Sequence, residues 1–481
     1  MKLIEPVASL YRPLFAKVVV YMLQASEYNV RAYLAWLWRT QNFSRVMYRK
    51  KLVMTRPAEL LLGLMYLAMS AQIVLALLLE WQGWHGNKPW VPIFALAVFL
   101  ATPIIWAHLI VLPLLLGRWL IIGPLTAVRV KQSRQVFKGH AAVKIAIAGS
   151  YGKTTMKEIL VTILKADKKV AAASGNKNVP SSHARFAKSL KGDEDILIIE
   201  YGEGTPGDVV KFTRNTHPDI GIITGLAPAH LDKYKTLNSA GKDIFSLAYH
   251  LSGKNVYVNG ESLEAKTFIK PSYQLYSSSG ALGWKVEAIN SDLEGLSFNL
   301  KKGNQTMKLK TKLLGKHQVG PVALSAALAH KLGVSIEKIE IAASSLVPYD
   351  HRMQLYQLSG AWIIDDTYNG NIEGMRAGLE LLKSLPAKRK VYVTPGLVDQ
   401  GEKSPQIHHL LGELIAKASP DKTVLIKHSV TDDIIKGLES NDYKGELVIE
   451  KDALRFYTNL DQSVAAGDLV LMQNDWPDNY N

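Results

Sequence analysis

Two long apolar runs constrain this chain more than anything else in it. Residues 59–79 (ELLLGLMYLAMSAQIVLALLL) and 91–116 (VPIFALAVFLATPIIWAHLIVLPLLL) each offer the roughly 20 residues that a helix needs to cross a hydrocarbon core. Neither has a polar face, which a core helix of this length in a soluble domain normally keeps. Both are therefore predicted to be transmembrane helices. They begin far from Met1, with no short apolar core behind a basic amino end, so no cleavable signal peptide is expected.

Charge gives the orientation. The connecting segment WQGWHGNKPW carries one lysine. Arg45, Arg49, Lys50, Lys51 and Arg56 precede the first run, and Arg118, Arg129, Lys131 and Arg134 follow the second. The excess of Lys and Arg beside spans marks the cytoplasmic side, so both flanks face the cytoplasm and the protein is expected in the cytoplasmic (inner) membrane as a multi-pass chain. Trp81, Trp84 and Trp90 suit the opposite interface, where an indole ring can keep one end wet. Residues 14–39, with Tyr28, Tyr33, Trp36 and Trp38 at mixed helical spacing, read either as an interfacial or re-entrant segment or as a helix packed on its neighbours.

The chain has 481 residues, room for roughly three domains. Its 48% hydrophobic and 21% charged residues exclude a disordered chain. The formal charge of +15 comes without a basic stripe or interleaved aromatics, so anionic lipid is the expected partner and nucleic acid is not. With no cysteine, disulfides and thiol or Cys–metal chemistry are excluded. After Lys138, short β-like runs alternate with helical stretches and Gly-rich turns, the pattern of α/β domains.

The first of those β-like runs leads into VKIAIAGSYGKTTMKEIL, an apolar strand, a glycine turn and a helix start. Glycines at 149 and 152 let backbone N–H groups approach phosphate oxygens, and a helix amino end adds a favourable dipole. Lys153 can neutralise β/γ oxygens, Thr154 can ligate magnesium, and Ser150 and Thr155 complete the turn. ATP and magnesium are thus the expected cofactors. Only two residues separate the glycines, fewer than in the common G-x-x-x-x-G-K-[ST] loop.

A strand followed by G-S-x-G-K-T-T resembles the central domain of the Mur ligases, and segments further along resemble that family in the same order. In ILIIEYGEGTPGDV the position matching its magnesium-binding glutamate is Glu200, and in ITGLAPAHLDKY the position matching its magnesium-binding histidine is His230. SGNKNVPSSHARF, with Asn176 and Asn178, is similar to a substrate-side Gly-Asn turn. The family carries a carbamylated lysine soon after the histidine; Lys242 is the candidate, and aligning on the following Ile-Phe puts Gly241 there instead. GKHQVGPVALSAAL resembles a helix start whose asparagines contact adenine, but Gln318 and Pro321 stand at those positions, after His317.

From residue 348 onward, DHRMQLYQLSGAWIIDDTYNGNIEG resembles the opening of the family's carboxy-terminal domain. The resemblance implies that Arg352 and Asp366 engage the nucleotide; Tyr368, Asn369 and Asn371 match as well, while Gly370 and Ile372 depart. A strand ending at Asp366 would place it at a sheet's carboxyl edge, where ligands bind. An ordinary helix cap at Thr367 or Asn369 is the plainer reading of that turn. GLVDQGEKS, with Asp399, Gly401 and Glu402, is similar to a loop of the branch that adds D-alanyl-D-alanine. The family's terminal Lys-Gly-Ser-Arg is missing after GDLVLMQNDWPD.

The implied architecture is α/β. A helical membrane anchor over residues 1–136 precedes a phosphate-loop-type central Mur ligase domain (137–346) and a carboxy-terminal Rossmann-like domain (347–481). The implied function is ATP-dependent amide ligation through an acyl phosphate, with Lys153, His230 and Lys242 catalytic and Thr154, Glu200 and His230 on magnesium. The expected partners are a cell-wall precursor, nucleotide- or lipid-linked, and an amine such as D-alanyl-D-alanine. The resemblance does not reach the membrane-bearing start, where the family has a soluble domain for the uridine nucleotide. A Mur-like ligase with another acceptor, a membrane-tethered ATP-binding regulator and, less well matched, a transport ATPase are the rival readings.

Overall fold

The computed structural model describes residues 8–46, 51–86, 90–173, 179–228, 231–368, 370–398 and 400–474. It divides into a first unit up to Leu125 and a second from Thr126 to Trp476.

In the first unit the helix Arg56–His85 starts at Thr55, whose side chain accepts from the Ala58 N–H, with proline in the first turn where its missing N–H is harmless. It outruns the predicted span at both ends. The helix Trp90–Leu109 packs against it, with Ala76 and Gly83 buried on one helix and Ala95 and Thr102 on the other, and Gly83 directly against Pro92 and Val91. Gln72 donates from Nε2 to the carbonyl of Val98 at 3.1 Å, which satisfies the one amide side chain in an apolar run. Residues 14–39 form two packed helices, Phe15–Ala25 and Val30–Arg39. Phe15, Val19, Met22 and Trp36 bury themselves with Leu61, Leu62 and Met65 of the long helix. At 11 residues, Phe15–Ala25 is about 16 Å long and too short to span. Among the described residues two helices are long and apolar enough to cross a membrane, Arg56–His85 and the continuous helical stretch Trp90–Gly139, and only 22% and 33% of their most apolar windows are buried. Leu60, Leu67, Leu77, Ile93 and Leu96 lie on the outward surface.

The second unit holds two sheets. The larger contains β1 (Val143–Ala148), β2 (Val170–Ala172), β3 (Ile196–Glu200), β4 (Ile220–Ile223) and β5 (Val256–Asn259). It continues through β6 (Gln274–Ser277), β7 (Gly280–Ala281), β8 (Trp284–Asp292), β9 (Gly295–Lys302) and β10 (Gln305–Thr311). The strand order is β10-β9-β8-β7-β6-β5-β4-β1-β3-β2. Strands β1 to β6 pair with one another in parallel, and from β6 through β10 the pairings are antiparallel. β1 and β3 are almost entirely buried, as near-continuous apolar runs covered on both faces should be. β10 and β9 instead alternate buried and exposed, the mark of one wet face.

The smaller sheet contains β11 (Gln354–Leu358), β12 (Ala361–Asp366), β13 (Arg389–Thr394), β14 (Lys422–Ile426), β15 (Glu446–Glu450) and β16 (Asp468–Gln473). Its order is β11-β12-β16-β13-β14-β15, so the last strand of the chain is inserted between β12 and β13. Both sheets are α/β, as the sequence implied. In the larger one β1 has β3 on one side and β4 on the other, so the chain reverses its winding at the carboxyl end of β1, where parallel sheets open a crevice.

Candidate active site

The glycine turn occupies that crevice. Gly149 has φ +145°, and a Cβ there would lie 2.2 Å from Thr224 Oγ1, so no side chain fits. Gly152, at φ +71°, takes the left-handed turn that starts the helix Lys153–Leu164. The Ser150 N–H donates to the Gly225 carbonyl at 2.9 Å and Thr224 Oγ1 donates to the Tyr151 carbonyl at 2.5 Å, tying the turn to the loop after β4.

Register places Glu200 at the end of β3 opposite Ile147, two residues before the turn. Thr154 Oγ1 lies 3.0 and 3.1 Å from its two carboxylate oxygens, and both residues are buried. Lys157, one helical turn beyond Lys153 and buried, has Nζ 3.3 Å from Glu200 Oε2. His183 Nε2 meets the Glu200 carbonyl at 2.9 Å, and burial pushes this imidazole down to about 4, so it is neutral near pH 7. Lys153 curls back: Nζ donates to the Gly149 carbonyl at 2.5 Å and stands 2.8 and 2.7 Å from the oxygens of Glu203.

Across a cavity of about 260 Å³ the turn faces the start of the smaller sheet, with Tyr151, Gly152 and Thr155 on one wall and Arg352, Asp366 and Tyr368 on another. His317 and Gln318 also line it, their Nε2 atoms 2.9 Å apart; burial pushes His317 down to about 4. The Arg352 guanidinium lies 4.4 Å from the Tyr368 ring centroid, a cation–π distance. Asp366 ends β12 and pairs in register with Gln473. Gln473 donates from Nε2 to Asp366 Oδ2 at 2.8 Å, while burial pushes that carboxyl up to about 7. Asn474 accepts from the Gly370 N–H at 3.0 Å and donates to the Gly396 carbonyl at 2.5 Å, joining the ends of β12, β13 and β16.

The helix cap in this turn is Asn371, whose Oδ1 accepts from the N–H groups of Glu373 and Gly374 at 3.0 Å each; Thr367 instead donates to Asp365 at 2.6 Å, so it is not the cap. Lys242 is exposed on the helix Leu237–Ile244. Gly241 beside it is buried, and a Cβ there would lie 2.3 Å from the Phe268 ring, which leaves no room for a longer side chain. His230, Asn176, Asn178, Asn369 and Asp399 lie outside the described residues. Among the described residues no three His, Cys, Asp or Glu side chains converge as a ready-made metal cage. The hard oxygens of Thr154 and Glu200 nonetheless fit magnesium, which is held by one or two protein oxygens together with substrate phosphates.

Sequence reasoning missed Lys157, Glu203, Gln473 and Asn474. Helical spacing from Lys153 pointed to the first and the strand end at Glu200 to the second. Nothing local marked the last two.

Residues 147–329 match the Mur ligase middle domain, and residues 351–473 match the Mur ligase glutamate ligase domain. The chain belongs to the Mur ligase family. The UDP-N-acetylmuramoyl-tripeptide--D-alanyl-D-alanine ligase of Escherichia coli (strain K12) is 24% identical over 292 residues, covering 59% of this chain and 64% of that one. The ligase of the same name from Bacillus subtilis (strain 168) is 22% identical over 341 residues, 64% of this chain and 72% of that one. This Mur ligase therefore spans less than two thirds of the length of the E. coli relative. Among solved structures, MurF from Acinetobacter baumannii superposes with a TM-score of 0.64 at 21% identity over 74% of this chain and 78% of that one. MurF from Thermotoga maritima in complex with ADP gives 0.64 at 21% identity over 73% and 80%. These two establish the shared fold.

Proposed function

We propose that this Mur ligase is a membrane-anchored ATP-dependent amide ligase that joins D-alanyl-D-alanine, or a closely similar amine, to the peptide carboxylate of a cell-wall precursor. One observation carries the reading: the phosphate loop, through Tyr151, Gly152 and Thr155, faces Arg352, Asp366 and Tyr368 across a cavity, with Thr154 bound to Glu200 beside it. The family membership and the names of the matched relatives support the choice of reaction and amine.

Amide formation in water is uphill, so the carboxylate must first gain a better leaving group. Its oxygen attacks the γ-phosphorus of ATP, the bridging P–O bond breaks, and ADP departs with that electron pair. The amine nitrogen then attacks the acyl carbon, the carbon–oxygen bond to phosphate breaks, and a proton leaves the nitrogen as the amide forms. Lys153 and the amino end of its helix neutralise the phosphate oxygens during the first displacement. Thr154 and Glu200, with His230, would hold magnesium, which supplies charge neutralisation on the triphosphate. Arg352, stacked on Tyr368, and the carboxylate of Asp366 hold the nucleoside end, with Gln318 at the adenine side. Lys242 is retained as a candidate catalytic lysine only if the helix that carries it moves inward when substrates bind.

The outward apolar faces of the helices Arg56–His85 and Trp90–Leu109 support a bilayer rather than water as their solvent. With the basic flanks inside, both ends of the hairpin and the ligase unit lie on the cytoplasmic side, where a lipid-linked or nucleotide-linked precursor is reached at the membrane surface.

The test is phosphate release from ATP and magnesium by the detergent-solubilised chain, with and without D-alanyl-D-alanine and a muramoyl-tripeptide precursor, using Lys153→Ala as blank. Release requiring both substrates and lost in the variant supports the ligase. ATP binding without release for any precursor or amine favours a tethered nucleotide-binding regulator, a reading to which the outward Lys242 gives some support.

A further inference from the structure

We propose that Glu203 competes with a bound nucleotide for Lys153, so that its carboxylate sets how tightly the loop takes a triphosphate. This rests on the nucleotide-binding role proposed above for the loop.

The contact is close and uneven, with Oε1 of Glu203 accepting a hydrogen bond and the buried Oε2 accepting none. Lys153 Nζ stands 2.8 Å from Oε1 and 2.7 Å from Oε2 of Glu203, and the two side chains are 11% and 6% exposed. A pair so withdrawn from water is weakly screened, and neither partner can give up the other without an equal replacement. The second lysine of the helix is also met by carboxylates, Lys157 by Glu200 at 3.3 Å and by the more exposed Glu158 at 3.5 Å, so both cations of the helix start already have anionic partners. Lys153 is also bound to the first carbonyl of its own loop at 2.5 Å, folded onto the turn whose phosphates it should serve.

A purely structural role for the pair has little left to explain. The turn is fixed by Ser150 on Gly225 and by Thr224 on Tyr151, and the strand end by Thr154 and His183 on Glu200. When a phosphate takes Lys153, Glu203 is left as a buried carboxylate without its cation, which penalises the bound state. Removing that carboxylate's charge while keeping its shape lifts the penalty.

The experiment is equilibrium binding of ATP with magnesium, no other substrate present, to the full-length chain in detergent. Glu203→Gln should bind about tenfold more tightly than wild type, since one buried charge-assisted contact no longer competes. Glu203→Asp, with a shorter reach, should fall between them and serves if the glutamine variant does not fold. In a Lys153→Met background the same Glu203→Gln change should give no gain, because the competition runs through that ammonium. Unchanged or weaker binding by Glu203→Gln overturns the inference. If Lys153→Met binds ATP more weakly than wild type, the nucleotide role of the loop survives that result; if wild type itself binds none, both readings fall together.

Discussion

Gln473, the last residue of β16, donates from Nε2 to Oδ2 of Asp366, the last residue of β12, at 2.8 Å across 107 positions of chain. The same amide nitrogen reaches the Gly374 carbonyl at 3.1 Å, and its oxygen accepts from Tyr392 OH at 3.2 Å. Gln473 is thus held on three sides and helps fix the carboxyl of Asp366, which lines the cavity. Gln473→Leu should raise the KM for ATP several-fold with a smaller change in kcat, because it disturbs placement of the nucleoside and not the loop. An unchanged KM in steady-state kinetics would show that Asp366 is placed without it.

Burial is the main influence on Asp366, lifting its carboxyl from 3.8 to about 7, against the opposing pull of Gln473, the Met353 N–H and Arg352. Between those values the folded protein keeps a proton that the unfolded chain has lost. The stability this contributes is complete below about pH 4 and disappears as the pH rises through about 7. Thermal melting of wild type should therefore fall relative to Asp366→Asn as the pH goes from 5 to 7.5. Parallel curves would argue against a raised carboxyl.

Arg352 and Tyr368 stack at 4.4 Å on the cavity wall. Arg352→Lys keeps the charge but loses the flat guanidinium face, and a lysine is no equivalent at a stacked site. ATP affinity should drop about 3- to 10-fold in Arg352→Lys and further in Arg352→Ala, as read by titration calorimetry. Full recovery by lysine would mean that charge alone matters.

Loss of the Asn371 cap should be felt by the helix Ile372–Ser384 before it is felt by the chemistry. Asn371→Ala removes both acceptor bonds to Glu373 and Gly374 and should cost about 1 kcal/mol, with Asn371→Ser restoring most of it in chemical denaturation.

The chain has no cysteine, so single cysteines report topology without background. In intact cells a membrane-impermeant maleimide should label Trp84→Cys and spare Lys131→Cys. Labelling at both positions from outside, or at neither, would contradict a hairpin with both ends in the cytoplasm.

Much of this was legible in the sequence because it is local. A helix long and apolar enough to span is a matter of length and composition, and a phosphate loop is the run from Gly149 to Thr155, whose glycines, lysine and threonines do their work locally. The α/β class followed from alternating runs, and Asp366 at a strand end followed from IIDD before a polar turn. Proximity across the chain was decided elsewhere. Glu203 meets Lys153 only because β3 pairs beside β1 with Glu200 opposite Ile147, a register no single segment encodes. Gln473 meets Asp366 only because β16 enters the sheet between β12 and β13. Side chains outside a motif acquire their partners from strand order and burial, which arise from packing the whole core. The same packing turned Lys242 outward and filled the space beside Gly241 with Phe268, so that the helix face, and not the residue type, decided what that lysine reaches.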